Sequence, residues 1–151
     1  MKTYIHYGHD KLDRDAVTHV VTSIKSKPNK GVWASPVDST RSWKDWCEAE
    51  DFRVCEESNS FTFTLSPDAK ILEVHEESDI MDYVIFNEVD YTSRRFSATH
   101  VCDMLNLPKL YRDFDGMELF LSEGSFGFHL GLFSLWDCDS IVVWNPDVIV
   151  T

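Results

Sequence analysis

Residues 30–46 constrain the fold of this chain most, because they combine strand, turn and helix-start signals with three tryptophans. The segment opens at Gly31 with a short apolar run, passes through Pro36 and continues with Asp38 and Ser39. Asp and Ser side chains accept hydrogen bonds from the free N–H groups in the first turn of a helix. We therefore expect a strand, a proline turn and a helix that begins at Asp38 or Ser39.

Trp33, Trp43 and Trp46 form a dense aromatic group for a soluble chain. An exposed Trp offers a flat apolar surface on which a planar ring can stack. Trp43 and Trp46 could instead be the apolar face of a helix that packs on a sheet, and for Trp46 packing is the favoured interpretation. For Trp33 both interpretations stay open.

Alternating or β-branched runs predict the strands. The clearest alternation is at residues 60–65, and residues 70–74 are expected to pair back onto them as a hairpin after the turn at Pro67. The other predicted strands are residues 3–7, which end at Gly8, part of residues 114–121, an apolar run headed by Asp137 and Asp139, and a short strand after Pro146.

Helix signals are weaker than strand signals. Residues 10–26 predict a partly helical or irregular connection, and residues 78–84 open with capping residues and have helical spacing. A further helix is expected from Val101, stopping near Pro108, because proline disfavours the helical conformation of the residue before it. The remaining predictions are a loop at 88–99 with Arg94 and Arg95, and a glycine-rich loop at 122–131 that fits no dinucleotide-binding pattern.

The charge and the cysteines narrow the functional classes. A chain of 151 residues is expected to form one domain, residues 1–151. Its net charge of −12 argues against a surface that binds the phosphate backbone of a nucleic acid. An acidic inhibitor that occupies a basic nucleic-acid groove stays open as an alternative. The cysteines form no CxxC motif, and the sequence contains neither a zinc-ligand spacing nor a membrane-length apolar run. We therefore expect a cytoplasmic protein that has reduced cysteines, no metal site and no membrane association.

The order of these features resembles the ADP-ribosyltransferase superfamily, in particular the His–Tyr–Glu branch of diphtheria-toxin-like and poly(ADP-ribose)-polymerase-like enzymes. Residues 4–8, Tyr-Ile-His-Tyr-Gly, resemble the first family motif, and residues 31–35, Gly-Val-Trp-Ala-Ser, resemble the second. Residues 139–143, Asp-Ser-Ile-Val-Val, resemble the third. The resemblance implies an α+β fold with the split two-sheet β-sandwich of that superfamily and a few short helices.

The same resemblance implies which residues form the site. His6 would hydrogen-bond a ribose of NAD, and Gly8 would hold the nicotinamide amide through its backbone. Ser35 would support the site and Asp139 would be the catalytic carboxylate. The remaining binding residues would be Tyr7, Trp33 and Trp43, with Trp46 as the less favoured choice for the second aromatic.

The proposed chemistry requires residues of these types. Cleavage of the nicotinamide–ribose bond develops positive charge on the ribose, and a nearby carboxylate stabilises that charge. Aromatic faces hold the departing pyridinium by stacking and cation–π attraction, which contributes roughly 1–2 kcal/mol when desolvated. No metal is needed for this reaction.

Two positions depart from the family pattern. Trp33 stands where the family usually has Tyr, which keeps the stacking surface and removes a hydroxyl. Asp139 stands where the family usually has Glu, which withdraws the carboxylate by one methylene, and a displacement of about 1 Å can cost on the order of a hundredfold in rate. Asp137 or Glu118 could supply the acid instead, or the domain could be inactive.

The sequence therefore predicts an NAD-dependent mono-ADP-ribosyltransferase. Its acceptor is expected to be a protein in preference to a nucleic acid, and a toxin, phage effector or anti-defence protein is the expected role. The alternatives are a catalytically silent domain that binds NAD or ADP-ribose, and the acidic inhibitor described above.

Overall fold

A computed structural model describes residues 1–20, 27–85, 104–123, 133 and 136–151. This part of the chain has an α+β fold, in which one seven-stranded mixed sheet and one two-stranded sheet are accompanied by a few short helices. The coarse fold class predicted from the sequence is confirmed. The predicted loop at 88–99, Val101 and residues 124–131 of the glycine-rich loop lie outside the described residues.

The strands are β1 (Tyr4–Tyr7), β2 (Val32–Pro36), β3 (Ser60–Leu65), β4 (Ile71–Val74), β5 (Val84–Ile85), β6 (Met104–Leu105), β7 (Gly116–Leu119), β8 (Ser140–Val143) and β9 (Ile149–Val150). The α-helices are α1 (Arg14–Val17), α2 (Trp43–Ala49) and α3 (Leu107–Asp113). In the described part of the chain no helix is long and apolar enough to cross a bilayer.

The large sheet has the strand order β4-β7-β8-β2-β1-β3-β9. Neighbouring strands are antiparallel except for β4 and β7, which are parallel. Strands β5 and β6 form the small sheet. Because β1 and β2 are adjacent, two of the three family-like sequence segments lie side by side, and β8, the third, pairs with β2.

Strand β8 is buried on both faces. Ile141 and Val143 pack in one apolar cluster, which also contains Tyr4 and Phe63. Val142 and the following Trp144 pack in a second cluster. Because successive side chains of a strand point to opposite faces, a continuous apolar run such as this one requires cover on both sides. The further members of the second cluster include Val74, Leu110, Met117, Leu119 and Trp136.

The chain comes close to β8 at two glycines. A Cβ atom on Gly31 would lie 2.8 Å from the Val143 carbonyl oxygen, and one on Gly116 would lie 2.7 Å from the Val142 carbonyl oxygen. Gly31 also has a φ of 116°, a conformation that L side chains rarely adopt. Glycine at these positions lets the neighbouring segments pack against the β8 backbone.

The predicted hairpin of residues 60–65 and 70–74 is wrong. Strand β3 pairs with β1 and β9, whereas β4 pairs with β7 at the opposite edge of the sheet. Phe63 of β3 stacks on Tyr4 at 5.5 Å, while Val74 of β4 packs in the other apolar cluster. Alternation correctly predicted that both segments are strands, but it carries no information about which strand each one pairs with.

The predicted helix starts and stops also need correction. Helix α2 begins at Trp43 and not at Asp38 or Ser39, because Ser42 and Asp45 form a reciprocal capping box. Pro108 lies in the first turn of α3, where its missing N–H is not needed, so it opens a helix that the sequence predicted it would end. Residues 77–79 and 81–83 form two short 3₁₀ turns in place of a helix.

A buried carboxylate links the N-terminal segment to β7. Glu118 is 2% exposed, accepts a hydrogen bond from the Tyr4 hydroxyl at 2.9 Å and is paired with Lys2. Burial raises the pKa of Glu118, and the two donors act against that rise. The Lys2 ammonium and the Tyr4 hydroxyl thus replace part of the solvation that the carboxylate loses on burial.

Gly31→Ala should destabilise the protein more than Gly8→Ala. Both glycines have positive φ, so both variants carry backbone strain of roughly 1–3 kcal/mol. Of these two glycines, Gly31 approaches backbone atoms of β8, whereas a Cβ on Gly8 would meet only the His6 ring at 3.7 Å. The free energy of unfolding from urea denaturation measures the difference. Equal losses for the two variants would show that the contact with β8 does not constrain the fold.

Candidate active site

A cavity of about 320 Å³ opens beside β1, β2, the start of α2 and the segment that leads into β8. Its wall contains five residues predicted from the sequence to bind NAD: His6, Tyr7, Trp33, Ser35 and Trp43. These residues lie in two stretches of the sequence, residues 6–7 and 33–43, which meet because β1 pairs with β2 and α2 follows β2 in the chain. The volume is at the lower end of the range for ligand pockets.

The His6 ring is held by the neighbouring strand. Its Nδ1 lies 2.7 Å from the Trp33 carbonyl oxygen. Because a carbonyl oxygen can only accept, Nδ1 must carry the proton, which leaves Nε2 of the neutral ring as an acceptor. Burial lowers the pKa of His6, with the Trp33 carbonyl acting in the opposite direction. At neutral pH this side chain therefore offers an acceptor nitrogen, which lies 3.2 Å from Nδ1 of His9.

The Ser35 hydroxyl connects three parts of the site. It is 1% exposed, accepts a hydrogen bond from the Trp43 N–H at 2.9 Å and donates one to the Asp139 carbonyl oxygen at 3.0 Å. Strand β2, the first residue of α2 and the segment before β8 are thus fixed to one side chain. The sequence-based role of Ser35 as a support of the NAD site stays a prediction.

Two groups of aromatic rings border the cavity. Trp33 packs against Trp136 with ring centroids 4.9 Å apart. Trp43 stacks on Trp46 at 5.1 Å, and Phe52 contacts Trp46 at 5.3 Å. Trp46 is half-buried in this stack and does not line the cavity, so Trp43 is the aromatic ring that α2 presents to it.

Two cationic side chains line the cavity wall, and among the described residues no acidic side chain does. Lys27 and Arg53 belong to the wall, and no described Asp or Glu does. The Lys27 ammonium lies 5.6 Å from the ring centroid of Trp33, and the Arg53 guanidinium lies 5.4 Å from that of Trp43. In a chain with a net charge of −12, this local environment favours an anionic or aromatic ligand.

The structure does not bring the Asp139 carboxylate to the cavity wall. The residue is 5% exposed, and its carboxylate accepts hydrogen bonds from the hydroxyls of Ser39 and Ser122 and from the Ser122 N–H. Its neighbours Cys138 and Ser140 do line the cavity. Asp139 therefore lies next to the cavity with its carboxylate occupied elsewhere, and its catalytic role stays a prediction.

The other predicted groups are also placed apart from the cavity. Glu118 lies on β7, where it contacts the Tyr4 hydroxyl and the Lys2 ammonium. Gly8 donates its N–H to the Asn59 carbonyl oxygen at 2.8 Å, so this donor is not free for a ligand. Asp137 is half-buried, and its charge raises the pKa of Lys27 against the larger effect of burial.

Sequence reasoning missed Lys27, Arg53 and Cys138 as residues of the cavity wall. Lys27 precedes a proline in a turn cluster, and Arg53 lies in the charged connection after α2, where a solvated side chain is the ordinary expectation. Only the positions of the Trp33 and Trp43 rings identify them, and the sequence contains no signal for these positions.

Comparisons with protein families, curated proteins and solved structures find no match for this chain.

The three described cysteines Cys47, Cys55 and Cys138 are free thiols. Within the residues that the structure describes, no group of three or more His, Cys, Asp or Glu side chains is placed to hold a metal ion.

His6 and His75 should titrate on opposite sides of the ordinary histidine pKa of 6.5. For His75, burial is the largest single effect and lowers the pKa, but the hydrogen bonds and charges of Glu73 and Glu123 together outweigh it and raise the pKa. His6 therefore contributes stability that is lost as the pH falls below 6.5 through its lowered pKa. His75 contributes stability that is lost as the pH rises through its raised pKa. NMR titration of the ring protons measures both values, and the reverse order would contradict the two environments.

Ser35→Ala should lower the free energy of unfolding by about 1–3 kcal/mol, because the Trp43 N–H and the Asp139 carbonyl lose a buried partner. Ser60→Ala is the matched control, since the Ser60 hydroxyl donates to the Glu57 carbonyl in an exposed setting and its loss should cost less than about 0.5 kcal/mol. Urea denaturation compares the two variants. Similar losses would show that Ser35 does not join the parts of the site.

Proposed function

We propose that the cavity binds NAD and that the chain is a mono-ADP-ribosyltransferase acting on a protein acceptor. The observation that supports this is the convergence of His6, Tyr7, Trp33, Ser35 and Trp43 on one cavity. These residues come from two stretches of the sequence, residues 6–7 and 33–43, and the family resemblance alone assigns all of them to NAD. The split two-sheet architecture of the ADP-ribosyltransferases is part of the same proposal.

The cavity wall fits a nicotinamide ribotide in its chemistry. Trp33 and Trp43 supply aromatic faces for a planar ring, which would be attracted by stacking and, for a pyridinium, by cation–π interaction. The neutral His6 ring has Nε2 as an acceptor, which would exchange its contact with His9 for a ribose hydroxyl. Ser35 holds the backbone of Trp43 in place, so it positions the second aromatic face.

The transfer reaction requires a carboxylate close to the ribose. Asp137 and Asp139 are the candidates, because they flank Cys138, which lines the cavity. Asp139 would act only after giving up its hydrogen bonds to Ser39 and Ser122, whereas Asp137 is half-buried and its charge acts on Lys27. An acidic chain with this site would favour an acceptor protein with a basic face.

A second candidate function is a catalytically silent domain that binds NAD or ADP-ribose. The hydrogen bonds that occupy the Asp139 carboxylate favour it, because they leave the described part of the cavity wall without an acidic group. This candidate shares the ligand and the binding residues with the transferase and differs only in the reaction.

Trp43→Ala should weaken NAD binding by about tenfold or more, since aromatic stacking on a base contributes roughly 1–3 kcal/mol. Trp46→Ala is the matched control, because Trp46 lies on the same helix and in the same ring stack but not in the cavity wall. Titration calorimetry with NAD measures both. Equal weakening by the two variants would contradict the assignment of Trp43 to the ligand.

Release of nicotinamide from NAD separates the two candidate functions. Wild type is tested with and without a host-cell lysate, alongside Asp137→Asn and Asp139→Asn. If wild type releases nicotinamide and one of these variants does not, the result supports the transferase and identifies its catalytic carboxylate. NAD binding without release supports the silent domain. No binding and no release would contradict both candidates and leave the acidic inhibitor as the alternative.

A further inference from the structure

Two cationic side chains of the cavity wall indicate what the ligand must carry. We infer that Lys27 and Arg53 bind phosphate groups, so that the site selects a nucleotide diphosphate over the corresponding nucleoside. The inference rests on the proposed function, since it assumes that the cavity binds a nucleotide. It adds that the diphosphate is the part of this nucleotide that provides affinity.

Lys27 is half-buried at the cavity, beside the pair of rings formed by Trp33 and Trp136. Its ammonium lies 5.6 Å from the Trp33 ring centroid and 5.8 Å from that of Trp136. No ion pair joins it to a carboxylate of the described residues, and burial lowers its pKa, with the charge of Asp137 acting in the opposite direction. A cation in this environment gains most from an anionic ligand, which would replace the solvation it has lost.

Arg53 approaches the cavity from the connection that follows α2. Its guanidinium lies 5.4 Å from the Trp43 ring centroid and 5.3 Å from that of Phe52. The side chain is exposed beside these rings, and its N–H donors remain available, because no side-chain hydrogen bond of Arg53 is found among the described residues. A guanidinium with free donors binds phosphate oxygens in a bidentate manner.

The surroundings of these two residues make them selective for an anion. Among the described residues, the cavity wall contains no carboxylate that could neutralise either cation, although the chain has 26 acidic residues. Lys2 and Arg112, by contrast, are paired with Glu118 and Asp113. The acidic side chains that dominate the composition would repel a free anion elsewhere, so the cavity is a region where a phosphate is held favourably.

The test compares ligands that differ in phosphate content. Wild type, Lys27→Gln and Arg53→Gln are titrated calorimetrically with NAD, ADP-ribose, ADP and adenosine. We expect each variant to bind the three phosphate-bearing ligands about tenfold more weakly, as expected for the loss of one charged hydrogen-bond donor, and to bind adenosine as wild type does. Lys27→Arg should retain most of the affinity, because it keeps the charge. Thermal unfolding verifies that every variant is folded.

Lys44→Gln and Arg41→Gln are the charge-matched controls. Both residues lie near the start of α2 but not in the cavity wall, so removing their charge should change the affinities by less than about twofold. The salt dependence of NAD binding should also be weaker in Lys27→Gln and Arg53→Gln than in wild type, since fewer charge pairs form.

The outcomes separate this inference from the proposed function. If NAD binds wild type and both cavity variants equally, the phosphate contacts are wrong while NAD binding stands. If ADP binds through Lys27 and Arg53 but NAD does not bind, the phosphate contacts are supported and the NAD proposal is wrong. If wild type binds none of the four ligands, both are overturned.

Discussion

The burial of β8 on both faces is the constraint on which the rest of the structure depends. Its apolar run of Ile141, Val142 and Val143 alternates between the two clusters, and the strands on either side, β2 and β7, contribute to those clusters. Cys138 and Ser140, which line the cavity, are themselves buried at or just before the start of this strand. The packing of β8 therefore places one part of the cavity wall.

Hydrogen bonds also tie the segment before β8 to the neighbouring parts of the site. Asp139 receives a hydrogen bond from Ser35 at its carbonyl and donates its own N–H to the Arg41 carbonyl, while Ser35 also holds the first residue of α2. The core strand, the neighbouring strand and the aromatic helix are thus connected through the Ser35 hydroxyl and the backbone groups that it contacts. The carboxylate of Asp139 takes part in a separate set of bonds, to Ser39 and Ser122.

Local signals in the sequence predict the strands well, but they predict helix positions and strand pairings poorly. Strands β1, β2, β3, β7 and β8 follow from their composition, but the hairpin of β3 and β4 fails because partner choice depends on which apolar cluster each strand covers. Pro108 is ambiguous in sequence, because its restriction on the preceding residue favours a helix end while its tolerance in a first turn favours a helix start. The cavity residues His6, Trp33 and Trp43 follow together from an ordered pattern, whereas Lys27 and Arg53 depend on ring positions that only the fold defines.

Binding of a nucleotide through Trp33 and Trp43, in the cavity beside β1 and β2, is the central claim. The most direct test is the NMR spectrum of the five tryptophan indole N–H groups during titration with NAD. We expect shifts for Trp33 and Trp43 and none for Trp144. The Trp144 ring does not line the cavity, and its N–H donates a hydrogen bond of 2.6 Å to the Phe114 carbonyl oxygen. Saturating NAD with no shift of Trp33 or Trp43, or with shifts confined to other tryptophans, would contradict the claim.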